Sequence, residues 1–143
     1  MSDAIKAVGT LLQKGDGAGS ENFTTIAEVT DITGPNIKQD MDDVTSHSSA
    51  GGWREKVGTL LDGGQVTLAI NYVPANATQN ATLGLIADLK NRVKRNFKLI
   101  FPDSGSTTWS FAALVVDFKP KAAVASKLSA DVTMEITGQP TLA

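Results

Sequence analysis

Residues 65–73 read QVTLAINYV, and their alternation decides the fold class. Val66, Leu68, Ile70 and Tyr72 fall on one face of an extended chain and Gln65, Thr67, Ala69 and Asn71 on the other, the period of two of a half-buried strand. The pattern returns in KLSADVTMEIT, residues 127–137. There Leu128, Ala130, Val132, Met134 and Ile136 alternate with Lys127, Ser129, Asp131, Thr133 and Glu135. Between these two segments, NFKLIF (96–101) sets Phe97, Leu99 and Phe101 in phase. TTWSFAALVVDF (107–118) follows across a PDSGS turn, which predicts a hairpin. Upstream, FTTIAEVTDI (23–32) is rich in β-branched residues and reads as one strand, stopped by Thr33, Gly34 and Pro35.

One segment changes period. In NATLGLIADLKNRVKR (80–95), Leu83, Ile86, Ala87 and Lys90 recur at helical spacing, and Leu85 and Leu89 widen the stripe. Asn80 suits an N-cap, and Lys90, Arg92, Lys94 and Arg95 gather where a helix dipole favours cations. These signals predict an amphipathic helix over about residues 79–92. Several antiparallel strands with one helix imply a mostly β fold, a sandwich or half-barrel with the helix packed against one side. Such a sheet has edges, which must be blunted or paired with another chain.

Two segments stand outside this scheme. Residues 1–22, with GDGAGSEN breaking a short apolar run, read as a flexible N-terminal arm. Residues 40–64 show no sustained period and read as a long loop, unusual inside a compact domain unless it has a function. That loop carries a Trp, an Arg, a Glu and the single His of the chain within a Gly- and Ser-rich background.

Composition narrows the function classes. At 143 residues the chain suits one domain, able to remove roughly 68–70% of its unfolded surface from water. The absence of cysteine excludes disulfides, thiolate metal sites and cysteine nucleophiles. No window approaches the roughly 20 apolar residues of a membrane helix, and MSDAIKAVGT lacks the apolar core of a signal peptide, so synthesis in the cytoplasm is expected. A net charge of −2 and few aromatics argue against clamping phosphates or stacking bases.

The sequence carries weak signals for chemistry. His47 between two serines, with Asp42 or Asp43 near, has the residue types of a hydrolase. Neighbours in an extended loop point apart, however, and no G-x-S-x-G elbow is present. Asp40, Asp42 and Asp43 lack the Gly and distal Glu of a calcium loop. GDGAGS lacks the Lys-Ser or Lys-Thr that follows a phosphate-binding loop. KNRVKRNFK (90–98) is the only basic cluster, and the helix dipole accounts for half of it. These comparisons assign no catalytic residue, no metal and no cofactor.

Taken in order, FTTIAEVTDITGP, DVTSHSSAGGWREKVGTLLDGGQVTLAINYVP, FKLIFPDSGSTTWSFAALVVDFKP and LSADVTMEITGQP resemble the major tail tube proteins of long-tailed, lambda-like bacteriophages, from about Phe23 to Pro140. The most specific part is the loop, where Asp43, Thr45 and His47 open, Gly51, Gly52, Trp53, Arg54 and Glu55 form the centre, and Asp62, Gly63 and Gly64 close. The resemblance implies a phage tail tube fold over residues 1–143. It also implies a structural, non-enzymatic virion protein whose hexameric rings stack into the tail tube, a conduit for DNA. The arm and the 40–64 loop would reach adjacent subunits and rings. Implied partners are further copies, the tape-measure protein, the tail terminator and the baseplate or initiator proteins, with DNA passing unbound and the product located in the virion tail. Some relatives continue into an immunoglobulin-like domain, and a chain stopping at Ala143 implies none. Ser129, Asp131, Thr133 and Glu135 are candidates for the lumen lining. Alternative readings are the inner tube of a contractile tail or secretion apparatus, and a small β-rich hydrolase or ligand-binding module centred on His47.

Overall fold

The computed structural model describes residues 2–142; Met1 of the expected arm and Ala143 of the expected domain lie outside them. The strands are β1 (Leu11–Gly15), β2 (Phe23–Thr25), β3 (Val29–Thr33), β4 (Lys38–Asp43), β5 (Lys56–Asp62), β6 (Gln65–Asn71), β7 (Lys94–Ile100), β8 (Thr108–Lys121) and β9 (Ser129–Leu142), and helix α1 spans Leu85–Lys90. Seven strands form one antiparallel sheet in the order β2-β1-β7-β8-β9-β6-β3, while β4 and β5 pair only with each other. The fold is mostly β, as the alternation requires.

The connection between β2 and β3 shapes the sheet. They occupy its opposite edges, yet Thr25 and Val29 are separated by four residue steps, a reach of about 14 Å. The sheet must therefore curl until its edges meet. Residues 26–28 close the seam: the Ile26 amide donates to the Leu12 carbonyl at 2.8 Å, and the Asn71 amide donates to the Glu28 carbonyl at 2.8 Å. Glu28 makes the corner at φ 61°. This is why FTTIAEVTDI is two short strands rather than the single strand expected, with Ile26 buried in the seam between them.

β8 and β9 are 14 residues each and serve both halves of the curl. The first half of β8 pairs with β7 from Thr108 to Leu114, and the first half of β9 pairs with β6 from Ser129 to Glu135. Inside lie Val66, Leu68, Ile70, Phe97, Leu99, Phe111, Val115, Val132 and Met134, all buried. The Phe97 and Phe111 rings stack with centroids 5.9 Å apart, and Tyr72 meets Phe118 edge to face at 5.3 Å.

Antiparallel order sorts the strand ends into two rims. One rim holds the ends of β1 and β6, the starts of β7 and β9, and the end of β8. Helix α1 closes it through buried Asp88, which accepts Lys14 Nζ at 2.9 Å and Arg95 Nε at 3.1 Å. Buried Gln79 ties the same rim together, accepting from the Val73 amide and donating to the Ala27 and Asn71 carbonyls. The opposite rim holds the ends of β3, β7 and β9 and the starts of β1, β6 and β8, and from it β4 and β5 project.

Three further expectations are corrected. The helix is shorter than 79–92: Asn80 caps a preceding turn by accepting from the Thr82, Leu83 and Gly84 amides, and Lys94 and Arg95 belong to β7. Its buried residues are Leu85, Ala87 and Asp88, whereas Leu83 is exposed. The flexible arm does not extend to residue 22, because β1 lies inside the sheet with Leu12 buried. Residues 40–64 are not structureless, since they contain most of the β4-β5 hairpin.

Candidate assembly surface

Every residue of β4 and β5 is exposed. The hairpin therefore rests on backbone pairing, from Lys38 opposite Asp62 to Asp43 opposite Lys56, with an irregular register between Gln39 and Met41 and the Thr59 hydroxyl donating to the Asp40 carbonyl at 3.1 Å. Such a two-stranded ribbon is marginal in water unless something packs on it. Its apolar side chains face solvent: Leu60 is 75% exposed, Leu61 74%, and Met41 is also open.

The tip, residues 44–55, is organised from within. The Asp43 carboxylate accepts from the Thr45 amide at 2.9 Å, from the Thr45 hydroxyl, and from Arg54 Nη1 at 3.1 Å. These hydrogen bonds, the Thr45 hydroxyl first, and the nearby Lys56 hold its pKa below the ordinary aspartate value of 3.8, so the network is complete at neutral pH. The Glu55 amide donates to the Thr45 hydroxyl at 2.8 Å, and the Ser49 hydroxyl donates to the Glu55 carboxylate at 2.8 Å.

Gly51 and Gly52 both turn through positive φ, 64° and 73°, where a side chain is strained. A Cβ on Gly51 would lie 3.1 Å from Trp53 Cδ1, so the missing side chain also leaves room for the indole. Trp53 itself is 79% exposed. The tip thus presents an exposed aromatic ring beside a turn whose backbone is closed by the Trp53 amide donating to the Ala50 carbonyl at 3.3 Å. Asp43, Thr45, Arg54 and Glu55 are brought into one network, and Gly51, Gly52 and Trp53 form the apex. His47 is exposed, and its side chain makes no hydrogen bond among the described residues.

The outward face of β9 carries Ser129, Asp131, Thr133 and Glu135. It is flanked by Gln65, Thr67, Ala69 and Asn71 of β6, and Gln65 Nε2 donates to Glu135 Oε1 at 3.0 Å. On the β8 side Lys119 lies opposite Asp131, and Lys121 opposite Ser129. Sequence reasoning missed an apolar groove of about 700 Å³ at the hairpin rim, lined by Ile5, Val8, Ile32, Phe101 and Pro102 among others. It also missed Leu60 and Leu61, whose adjacency in a strand with both faces uncovered was the available signal.

The fold is thus a curled antiparallel sheet carrying a two-stranded hairpin that its own subunit leaves uncovered. Comparison by sequence gives the particular family: residues 12–143 match the family described as lambda phage tail tube protein, and the chain belongs to it. It is a structural protein of the virion tail tube, where it assembles with its own kind.

The fold is shared with solved tubes. The tail of an empty gene transfer agent particle, computed with C6 symmetry, is 24% identical with a TM-score of 0.71, covering 93% of this chain and 95% of that one. A subunit from the native gene transfer agent virion is 19% identical with a TM-score of 0.73, covering 98% and 99%. A chain from the sheath-tube complex of an extracellular contractile injection system is 13% identical with a TM-score of 0.69, covering 100% and 93%. No curated relative matches by sequence. No helix among the described residues is long and apolar enough to cross a membrane.

Proposed function

We propose that six copies of this chain close a ring, and that rings stack through the β4-β5 hairpin into the tube of a non-contractile tail. The carrying observation is Trp53: exposed, and at the apex of a hairpin that its own subunit leaves uncovered. Trp and Arg are the residue types most enriched at binding hot spots, and Trp53 and Arg54 stand side by side. Six-fold symmetry is supported by the gene transfer agent tail of the same fold, and the lambda-type family match favours a tube without a sheath. Head-to-tail contacts close when they repeat by rotation and extend when they repeat by stacking.

The tube conducts DNA and catalyses nothing. Its lumen needs groups that do not pair with phosphate. The outward face of β9, with Ser129, Asp131, Thr133 and Glu135, suits that lining because its own polar groups are neutral or acidic and Asp131 stands opposite the Lys119 that flanks it. The tape-measure protein fills the tube before DNA, and terminator and baseplate proteins cap its ends.

The test is electron microscopy of purified protein at high concentration beside Trp53→Ala. Wild type is expected to form rings or tubes. The variant, with unchanged circular dichroism and melting temperature, needs roughly 30-fold more protein to do so, the equivalent of a hot spot of about 2 kcal/mol. Assembly of the variant at the wild-type concentration would refute the role of the tip.

A further inference from the structure

Resting on the tube reading, we infer that Lys90, Arg92 and Lys94 form a cationic docking face for the acidic hairpin of a second copy in the next ring. Residues 89–102 contain five cations and no acid. Two of the five are engaged within the subunit: Arg95 binds Asp88, and Lys98 lies over the Phe23 ring at 4.1 Å. Lys90, Arg92 and Lys94 are exposed and make no ion pair among the described residues. Asp88 of α1 and Glu21, which meets Asn96 of β7, are engaged within the subunit. Asp88 is held by Lys14 and Arg95, and Glu21 accepts from Asn96 Nδ2 and the Gly17 amide.

The ordinary explanation for cations at a helix end is the dipole, and it suffices for Lys90. It does not suffice for Arg92. The chain leaves α1 through a Schellman turn, in which the Val93 amide donates to the Asp88 carbonyl at 3.0 Å and the Arg92 amide to the Leu89 carbonyl at 3.4 Å. Arg92 holds the left-handed position of that turn at φ 56°. Gly is the residue that adopts this conformation without strain. An Arg kept there, with its guanidinium in solvent, points to a use for the charge outside the subunit.

The hairpin is the complementary surface. Residues 38–62 carry five acids against three cations. Lys56 sits opposite Asp43, Lys38 opposite Asp62, and Arg54 bridges Asp43. Asp40 and Asp42, two apart on one face of β4, have no ion-pair partner among the described residues. The hairpin leaves one rim, whereas Arg92 and Lys94 mark the other. A stack that repeats without closing sets unlike rims against each other, bringing acids to cations at every step.

The substitution Arg92→Gly separates fold from assembly. The subunit is expected to melt at the same temperature or about 2–4 °C higher, because strain is removed. The concentration needed for tube growth rises about tenfold, and the difference narrows in high salt. Reversing Arg92 and Lys94 to Glu blocks growth, and adding Asp40→Lys and Asp42→Lys to the same chain restores it. Growth of the Arg92→Gly chain at the wild-type concentration, or no recovery in the combined variant, overturns the inference while wild-type tubes leave the tube reading intact. Failure of wild type to form rings or tubes removes both.

Discussion

Asp88 shows how much one residue contributes to the body of this subunit. A carboxylate shielded from water is tolerable only when its charge is met, and here Lys14 from β1 and Arg95 from β7 meet it at opposite oxygens. The triad anchors α1 over the rim and joins two strands that are remote in sequence. Replacing Asp88 by Ala leaves two cations facing each other beneath the helix. A stability loss of about 2–3 kcal/mol is expected in chemical denaturation, less than for a wholly buried pair because Arg95 can turn toward solvent. At the hairpin apex the reasoning runs the other way. Trp53 contributes little to its own subunit, and its loss should register only when copies meet.

Among the elements, legibility followed burial. β6 and β9 were readable because one face of each is covered along its length, which imposes a period of two on QVTLAINYV and KLSADVTMEIT. The PDSGS turn was readable because Asp103 closes it, accepting from the Thr107 amide at 2.7 Å and from the Thr107 hydroxyl. The hairpin was not, because nothing covers either face and KQDMDD and KVGTLLD are free of alternation. The break between β2 and β3 was hidden because β-branched residues run on through Ile26 while the chain changes edges. The candidate site was visible as residue types, Trp53 and Arg54 above all, but the pairing of Asp43 with Thr45 and Arg54 depends on a register that a sequence without alternation does not specify. The hairpin should be separable from the body. Replacing residues 38–62 by Asn-Gly, between strands that already pair, is expected to leave unfolding free energy within about 1 kcal/mol of wild type while abolishing tube growth, as read by denaturation and sedimentation.

As a whole molecule, the chain is a self-sufficient curled sheet attached to a ribbon that is not self-sufficient. Closing the seam at residues 26–28 satisfies the body, whereas β4 and β5 keep their outer edges and both faces open to water. An open, partly apolar ribbon on a monomer invites indiscriminate pairing unless a defined partner takes it. In the function proposed for this tail tube protein, that partner is a further copy of the same chain. Hydrogen–deuterium exchange of residues 38–62, compared between dilute subunit and assembled material, tests this most directly. The account predicts fast exchange in the free subunit and protection rising at least about 100-fold on assembly, with the strands of the seven-stranded sheet little changed. Equal exchange of those residues in the two states would contradict it.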